Sequence, residues 1–287
     1  MPELPEVEVV RRGVHDWVVG KTIENVSVHH ARAVRRQTGG ANEFISRLKN
    51  RTVIDTQRRG KFLWLVLDNQ EALVTHLGMS GQVLVQKLTA EPEKHLRVRL
   101  TFVDGDNAMH FVDQRTFGWM TVEELVTDAQ EITVPECAVH IAQDPLDASW
   151  SLERCVATIG VKQTQIKRVI LDQSVVSGIG NIYADEALWL AKIHWGSPAN
   201  SLKPAQITEI LTQAAAVMTQ ALSVGGTSFD ALYVNVNGES GYFSRDLNAY
   251  GREGEPCERC GSIIVREHFM NRSSFRCPTC QNLSTVG

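Results

Sequence analysis

The chain has 287 residues, enough for one large domain or for two to three small ones. Its apolar share of 43% is ordinary for a folded protein, and no apolar run is long enough to span a membrane. The residues near the start are acidic, whereas a secretory signal peptide begins with basic ones. We therefore expect a cytoplasmic protein.

The charges are unevenly distributed along the chain. The net charge of −4 disfavours a nucleic-acid partner, but residues 120–153 hold eight acidic residues and no Lys or Arg. Residues 1–63, by contrast, hold 12 basic residues against 7 acidic ones. One face can therefore be positive while an acidic segment faces away from it, and solvated surface throughout is the alternative.

The first part of the chain is predicted to form one helix followed by a series of strands. Val10, Val14 and Trp17 share one face of a helix predicted over residues 5–19. Short β-branched and aromatic runs follow, separated by turn-forming residues, a pattern typical of a β-sandwich or barrel. The predicted strands are Thr22–Val28, Val53–Thr56, Phe62–Leu67, Ala72–His76, Gly81–Gln86, Leu96–Phe102 and Ala108–Val112.

The second half is predicted to be mainly helical. The acidic stretch 121–150 is interpreted as a connector, and Ser151 as the N-cap of the first helix after it. A glycine turn, Gly178-Ile-Gly-Asn181, opens a further helix. Pro204 begins a long helix.

Four cysteines near the C-terminus form two C-x2-C pairs separated by 16 residues. Four thiolates suit tetrahedral Zn²⁺ and leave no open position, so the predicted zinc is structural, with a redox dithiol as the alternative. Ile263–Arg266 and Ser274–Arg276 are predicted to form a β-hairpin between the pairs. The ligands are Cys257, Cys260, Cys277 and Cys280.

The N-terminus carries a second signal. A small residue at position 2 permits removal of Met1, which would leave Pro2 with a free secondary amine. Such an amine attacks an electrophilic sugar carbon to give an iminium ion, and a helix start disfavours its protonation. Glu3 and Glu6 lie beside it and can exchange protons. The alternative is a plain helix start, since Pro and Glu are favoured in any first turn.

The glycine turn is a candidate phosphate site. Free backbone N–H groups there and the Asn181 amide can bind phosphate, and Lys162 and Lys167 can add contacts. An ordinary helix-entry turn is the alternative.

Several loop residues matter in combination. Met79, Arg115 and Phe117 lie on predicted loops, where exposed side chains can wedge into a base stack when a nucleotide is flipped out. Lys61 follows Gly60 directly before a strand. Taken singly, each of these residues is equally consistent with surface charge or core.

Together these residues resemble the formamidopyrimidine-DNA glycosylase family, in the bacterial repair superfamily that includes endonuclease VIII. The resemblance covers essentially the whole chain and rests on several motifs in order. They are Pro2-Glu-Leu-Pro-Glu-Val-Glu8, Arg59-Gly-Lys61-Phe, His76-Leu-Gly-Met-Ser-Gly81, Asp113-x-Arg-x-Phe-Gly118, Gly178-x-Gly-Asn-Ile-Tyr-x-x-Glu186, Gly241-Tyr-Phe243, Tyr250-Gly-Arg252 and the cysteine pairs.

The resemblance implies a multi-domain α+β protein with an N-terminal β-sandwich opened by a helix, a helix–two-turn–helix domain and a C-terminal zinc-finger β-hairpin. The expected domains are a catalytic sandwich at 1–134, an acidic linker at 135–150, a DNA-binding domain with the start of a lesion loop at 151–240, and the rest of that loop with the finger at 241–287. The implied partner is double-stranded DNA containing oxidised bases or abasic sites. A nucleoid-associated bacterial monomer with no membrane contact is expected.

The resemblance also implies roles for individual residues. Pro2 is expected to be the Schiff-base nucleophile at C1′, with Glu3 as the general acid that helps open the sugar and Glu6 as a supporting carboxylate. Lys61 resembles the proton donor of β-elimination, and Arg272 resembles the finger arginine that grips phosphate and assists δ-elimination. The implied DNA-contacting residues are His95, Arg115, Lys162, Lys167 and Asn181, and those implied to fill the hole left by the flipped base are Met79, Arg115 and Phe117.

The implied activity is that of a bifunctional glycosylase and AP lyase acting on 8-oxoguanine and formamidopyrimidines. Leu4, where the endonuclease VIII branch usually has Gly, and the segment 238–252 favour this oxidised-purine branch. Gln114 and Arg97 stand where Pro and His are commoner, and the change at Gln114 bears on the choice of opposite base. The alternatives are an endonuclease VIII-type glycosylase for oxidised pyrimidines, an inactive DNA-damage-binding protein and a zinc-ribbon transcription factor.

Overall fold

The fold comes from a computed structural model that describes residues 2–226, 236 and 247–283. The chain divides into two compact units, one formed by Met1–His140 with Val224–Tyr242 and the other by Ile141–Ser223 with Phe243–Gly287. Within the described residues, no helix is both long and apolar enough to cross a membrane. The expected Gly241-Tyr-Phe243 motif lies outside the described residues.

The first unit is a β-sandwich preceded by a helix, as the sequence predicted. Its helices are α1 (Leu4–Val18) and α2 (Gly40–Leu48), and its strands are β1 (Ile23–Val28), β2 (Val53–Arg59), β3 (Phe62–Leu67), β4 (Glu71–His76), β5 (Gly81–Lys87), β6 (Leu96–Phe102), β7 (Asn107–Asp113), β8 (Trp119–Thr127) and β9 (Thr133–Pro135). The strands pair antiparallel in two sheets, of order β1-β6-β7-β5 and β2-β3-β4-β8-β9.

Alternation of apolar residues builds the core of this unit. Along β6, Val98, Leu100 and Phe102 are buried and alternate with partly exposed residues, which is the period of a strand with one face in a core. Val10 and Val14 of α1 join the same cluster at 0% exposure. Each fully buried side chain of this size contributes about 1.5–3 kcal/mol.

Two predictions for this unit were wrong. Trp17 is 38% exposed, because the buried stripe of α1 runs through Val10, Val14 and Val18 at intervals of four residues and Trp17 lies beside it. The acidic stretch 121–150 is not a connector in its first part, where β8 pairs with β4 and β9 pairs with β8. The helix α2 had no counterpart among the predicted elements.

The second unit contains helices and one hairpin. Its helices are α3 (Leu152–Gly160), α4 (Ile166–Ile170), α5 (Asn181–Leu190) and α6 (Pro204–Ser223), and its strands are β10 (Val265–Phe269) and β11 (Arg272–Arg276). The Ser151 side chain accepts a hydrogen bond from the Arg154 N–H at 3.2 Å, so it caps α3 as the sequence predicted. Pro204 begins α6, also as predicted.

A buried carboxylate fastens α1 to the second sheet. Glu8 accepts hydrogen bonds from Arg11 at 2.9 Å and Arg12 at 2.8 Å on its own helix, and from Arg58 on β2 at 3.1 Å. Burial raises the pKa of Glu8, but the hydrogen bonds from Arg11 and Arg12 and the charge of Arg58 outweigh that effect and lower it to about 2. The ionised carboxylate therefore stabilises the folded state.

Glu8→Gln is expected to lower the free energy of unfolding at neutral pH by roughly 2–3 kcal/mol. The folded-state pKa of Glu8 lies below its unfolded value of 4.5, so its stabilising effect is fully present above that pH and is lost as the pH falls towards 2. Urea unfolding of both proteins from neutral to acidic pH should show a difference that shrinks in that window. Glu24→Gln, on an exposed side chain of β1, is the control, and a pH-independent difference for Glu8→Gln would contradict the account.

Candidate functional site

Three residues predicted to act together lie buried at the start of α1. Pro2 is buried, and Glu3 and Glu6 are each 2% exposed. Glu3 is the N-cap, and the Glu6 Oε2 accepts a hydrogen bond from its N–H at 2.8 Å within a capping box. The backbone of Gly226 passes over this carboxylate, where a Cβ would lie 3.4 Å from Glu6. The two acids therefore lie beside Pro2 and away from bulk water.

Lys61 occupies a tight turn between β2 and β3. Gly60 has φ +55°, which only glycine adopts freely, and Arg59 pairs with Phe62 across the turn. Arg58 donates a hydrogen bond to the Gly60 carbonyl at 3.0 Å. Because Arg58 also binds Glu8, the turn that carries Lys61 is tied to α1. The Lys61 side chain is only 9% exposed.

Basic residues surround a histidine that the sequence analysis named only within a motif. His76, at the end of β4, stacks on Trp119 with ring centroids 5.6 Å apart. Burial, and after it the charges of Lys61, Arg36 and Arg35, lower the pKa of His76 to about 4. His76 is therefore neutral near pH 7 within a cluster of cations. Sequence reasoning missed Arg35 and Arg36, because surface arginines directly after a short 3-10 helix (Ala31–Val34) carry no motif.

The loop residues expected to enter a base stack are exposed. Met79 and Phe117 are each 41% exposed, and the Arg115 guanidinium lies 4.9 Å from the centre of the Phe117 ring. His95, half-buried before β6, has its Nδ1 3.5 Å from a guanidinium nitrogen of Arg97. These side chains, all in the first unit, are accessible to a ligand.

In the second unit, three of the expected residues lie at helix or hairpin ends. Lys162 is exposed after α3, and Asn181 is the first residue of α5, where its Nδ2 donates to the Ser273 carbonyl at 2.9 Å. Arg272 is exposed and follows the two-residue turn of the hairpin. A cation at a hairpin tip and an amide at a helix N-terminus both suit an anionic ligand.

Lys167 differs from the other expected contacts because it is fully buried. Its Nζ lies 2.6 Å from Asp185 Oδ1 and 4.8 Å from the centre of the Phe269 ring. Asp185 also accepts hydrogen bonds from Ser274 Oγ at 2.8 Å and the Phe275 N–H at 3.0 Å. Burial raises the pKa of Asp185 to about 6, against the opposing effect of Lys167. The ion pair thus joins α4 and α5 to β11.

The cysteine pairs meet in space. The Sγ atoms of Cys257, Cys260, Cys277 and Cys280 all lie within 4.8 Å of one another. Four thiolates at this spacing match the closed tetrahedral set of a structural zinc. Together with a family model for a zinc finger over residues 254–283, this arrangement confirms the zinc predicted from the sequence.

The finger is anchored to helix α5 and the segment after it by several polar contacts. The Arg259 guanidinium lies 3.6 Å from the centre of the Trp189 ring. Trp195 Nε1 donates to Glu267 at 2.6 Å, and Gln281 Nε2 donates to a backbone carbonyl at 2.9 Å. The hairpin is therefore held at both its strands and its cysteine turns.

Comparison with known proteins finds relatives that match nearly the whole chain. The model of the formamidopyrimidine-DNA glycosylase N-terminal domain matches residues 1–120, and the model of the H2TH domain of the same enzymes matches residues 141–232. The formamidopyrimidine-DNA glycosylase of Thermobifida fusca is 54% identical, over 98% of this chain and 97% of its own; that of Rhodococcus erythropolis is 57% identical, also over 98% and 97%. The chain belongs to the formamidopyrimidine-DNA glycosylase family.

Solved structures of the family share the fold. A structure of MutM in complex with DNA containing carbocyclic 8-oxo-G has a TM-score of 0.85 and 29% identity, and the match covers 98% of this chain and 100% of the MutM chain. Lactococcus lactis Fpg in complex with abasic-site DNA has a TM-score of 0.84 and 29% identity, with the same coverage. The expected sandwich, helix–two-turn–helix and zinc-finger fold is therefore confirmed.

Zinc removal is expected to unfold the hairpin and leave the β-sandwich folded. A hairpin of this size buries too little apolar surface to fold alone, so metal binding supplies much of its folding free energy. Amide hydrogen exchange of Cys257→Ala should show loss of protection in β10 and β11 and unchanged protection in β2–β4. Cys137→Ala, on a half-buried thiol outside the finger, is the matched control. Full protection of the hairpin in Cys257→Ala would contradict a metal-dependent fold.

Proposed function

We propose that this protein is a bifunctional DNA glycosylase and AP lyase of base excision repair that excises oxidised purines. The observation that carries the proposal is the match to formamidopyrimidine-DNA glycosylases at 54% and 57% identity over nearly the full chain. Solved relatives hold DNA with carbocyclic 8-oxo-G, Fapy-dG or an abasic site. We therefore take duplex DNA containing 8-oxoguanine, formamidopyrimidines or abasic sites as the substrate.

Pro2 is the proposed nucleophile. After removal of Met1, its amine nitrogen attacks C1′ of the damaged nucleotide and the bond from C1′ to the base breaks; the base leaves with the electron pair of that bond and takes up the proton that the amine loses. Glu3 supplies a proton to the ring oxygen as the sugar opens, and the amine loses its own proton, which leaves an iminium between Pro2 and C1′. The N-terminus of α1 favours this chemistry because the helix dipole disfavours a protonated amine at that end.

Strand cleavage follows from the iminium. It acidifies the C2′ proton, and loss of that proton expels the 3′ phosphate in a β-elimination; a second elimination expels the 5′ phosphate. Lys61 is the proposed proton-transferring group of the first elimination. Arg272 is proposed to bind the phosphate that leaves in the second. The zinc ion takes no part in bond-making and holds the hairpin that carries Arg272.

The proposed DNA contacts are of two kinds. His95, Lys162 and Asn181 bind phosphates and fix the position of the duplex. Met79, Arg115 and Phe117 fill the space left by the flipped nucleotide. We propose that the protein works as a monomer on nucleoid DNA in the bacterial cytoplasm.

We assign Lys167 a different task from the other basic residues. Its ammonium is buried against Asp185, which also binds two residues of β11. A cation in that position cannot reach a phosphate without breaking the pair. We therefore propose that Lys167 positions the hairpin, and with it Arg272, rather than touching DNA.

Borohydride trapping tests the nucleophile and the lesion together. With a duplex containing 8-oxoguanine opposite cytosine, the wild type is expected to form a covalent complex because borohydride reduces the iminium. Retention of Met1 should abolish the complex, since it converts the Pro2 amine into an amide. Pro2→Gly should weaken the complex without abolishing it, because a primary amine is still present at position 2.

Trapping on a panel of DNA duplexes that carry different lesions separates the alternative functions. A complex with thymine glycol but none with 8-oxoguanine would keep the Pro2 mechanism and assign the protein to the oxidised-pyrimidine branch. Tight binding of lesion DNA with no trapping on any lesion would identify an inactive DNA-damage-binding protein. Trapping that survives Met1 retention would rule out Pro2 as the nucleophile.

Salt dependence distinguishes the roles of Lys162 and Lys167. For Lys162→Met, the slope of log affinity against log salt should fall by about 1, because one phosphate contact is lost. For Lys167→Met, the slope should stay unchanged while zinc loss to a chelator accelerates, because a buried Asp185 without its partner costs about 3–5 kcal/mol. Lys203→Met, on an exposed lysine before α6, is the control. A reduced slope with normal zinc retention in Lys167→Met would instead support a direct contact between Lys167 and DNA.

A further inference from the structure

A fully buried carboxylate lies beneath the two loops that carry the proposed hole-filling residues. Asp113, with 0% exposure, accepts hydrogen bonds from Ser80 Oγ at 2.6 Å, the Arg115 N–H at 3.1 Å and the Gly118 N–H at 2.7 Å. Ser80 Oγ in turn accepts from the Arg115 N–H at 3.2 Å. One carboxylate thus holds both ends of the segment 113–118 and joins it to the loop of Ser80.

The segment that Asp113 spans is strained. Thr116 has φ +56°, a left-handed conformation that is a genuine outlier for a β-branched residue. Such a conformation persists only where the surroundings determine it, and it is commonest at functional sites. The three hydrogen bonds to Asp113 are one such determinant.

A second determinant comes from the opposite side of the segment. Arg35 donates hydrogen bonds to the Gly118 carbonyl at 2.7 Å and to the Phe117 carbonyl at 2.8 Å. Gly78 has φ +63°, and a Cβ there would lie 2.5 Å from the Gly118 nitrogen, so the two loops touch backbone to backbone. The arrangement leaves no room for a side chain between them.

These hydrogen bonds restrict the backbone of the segment 113–118, which its covalent structure alone does not. A proline ring at position 114 would fix one backbone dihedral of the loop, and Gln114 does not. Here Gln114 is exposed, and the loop conformation depends on Asp113, Ser80 and Arg35. A loop that is ordered before binding does not lose that conformational entropy when DNA arrives.

We infer that Asp113 and Ser80 are positioning residues that, with Arg35, hold Arg115 and Phe117 ready to enter the DNA stack. The inference rests on the proposed function, since it takes these two residues to fill the hole left by the flipped nucleotide. Neither Asp113 nor Ser80 needs to contact DNA. Their effect on catalysis passes through the loop backbone.

The test compares two substrates for each variant. The first is a duplex with 8-oxoguanine opposite cytosine or adenine, where Arg115 and Phe117 have an opposite strand to engage. The second is a single-stranded oligonucleotide with an abasic site, which offers no such strand. The variants are Asp113→Asn, Ser80→Ala and Ser80→Thr, with Asp104→Asn, on an exposed loop aspartate, as the matched control.

Asp113→Asn and Ser80→Ala should reduce kcat/KM on the duplex by about tenfold, since each leaves a buried group without its hydrogen bond. The preference for cytosine over adenine opposite the lesion should fall as well, while cleavage of the single-stranded abasic site stays near the wild-type rate. Ser80→Thr should restore duplex activity because it keeps the hydroxyl.

Other results would overturn the inference. Equal losses on both substrates would indicate general destabilisation rather than loop positioning, and unchanged duplex activity in Ser80→Ala and Asp113→Asn would show that the loop needs neither residue. Failure of the proposed function is distinguishable in the wild type itself, which would then cleave neither substrate, or only the abasic site if it belongs to the oxidised-pyrimidine branch.

Discussion

Two carboxylates held out of water at the start of one helix are the constraint around which the first unit is arranged. Glu3 and Glu6 are each 2% exposed, and burial of a carboxylate is tolerated only where hydrogen-bond donors meet it. A helix start supplies such donors, since its first N–H groups have no partner within the helix, and Glu6 accepts from the Glu3 N–H. The helix start that supplies hydrogen-bond donors to these two carboxylates also lies next to Pro2. Helix capping therefore places both side chains beside the proposed nucleophile, where the proposed proton exchange needs them.

The same helix also determines where the Lys61 turn lies. Glu8 binds Arg58, and Arg58 binds the carbonyl of Gly60, so a chain of hydrogen bonds runs from α1 to the turn. Because charge-assisted hydrogen bonds are short and directional, a small shift of α1 would move this turn with it. Pro2 and Lys61 thus share one support, as their proposed action on one sugar requires.

Local signals in the sequence predicted more of this protein than long-range ones. The cysteine spacing, the N-cap of α3 and the β-branched and aromatic runs of the sheets are all readable within a few residues, and each was predicted correctly. The strand β8 was missed because Glu123 and Glu124 were grouped with the acidic residues that follow them, although Trp119 and Val122 in the same strand are buried. A strand needs only one buried face, so acidic residues beyond its apolar start do not prevent pairing.

The network around Asp113 and the pair of Lys167 with Asp185 lay beyond sequence reasoning for a different reason. Asp113 and Ser80 are 33 positions apart, and Lys167 and Asp185 are 18 apart, so no local pattern connects them. A lysine read from sequence is assumed to be exposed, because an ammonium is seldom buried without a partner. Only the tertiary structure supplies that partner, and the proposal that Lys167 positions the hairpin rests on it.

The net charge of −4 is a poor guide to the surface that DNA would meet, because the fold removes several carboxylates from it. Asp113 accepts from a hydroxyl and two backbone N–H groups, and Glu186, at 0% exposure, accepts from the backbone N–H groups of residues 248–250. These acids are matched by neutral donors, so no basic side chain has to be buried with them. Arg115 and Arg272 remain exposed. The electrostatic potential near them depends on exposed charged side chains of this kind rather than on the net charge of the chain. The charged side chains that can touch DNA are therefore a better guide to binding than the net charge of the chain.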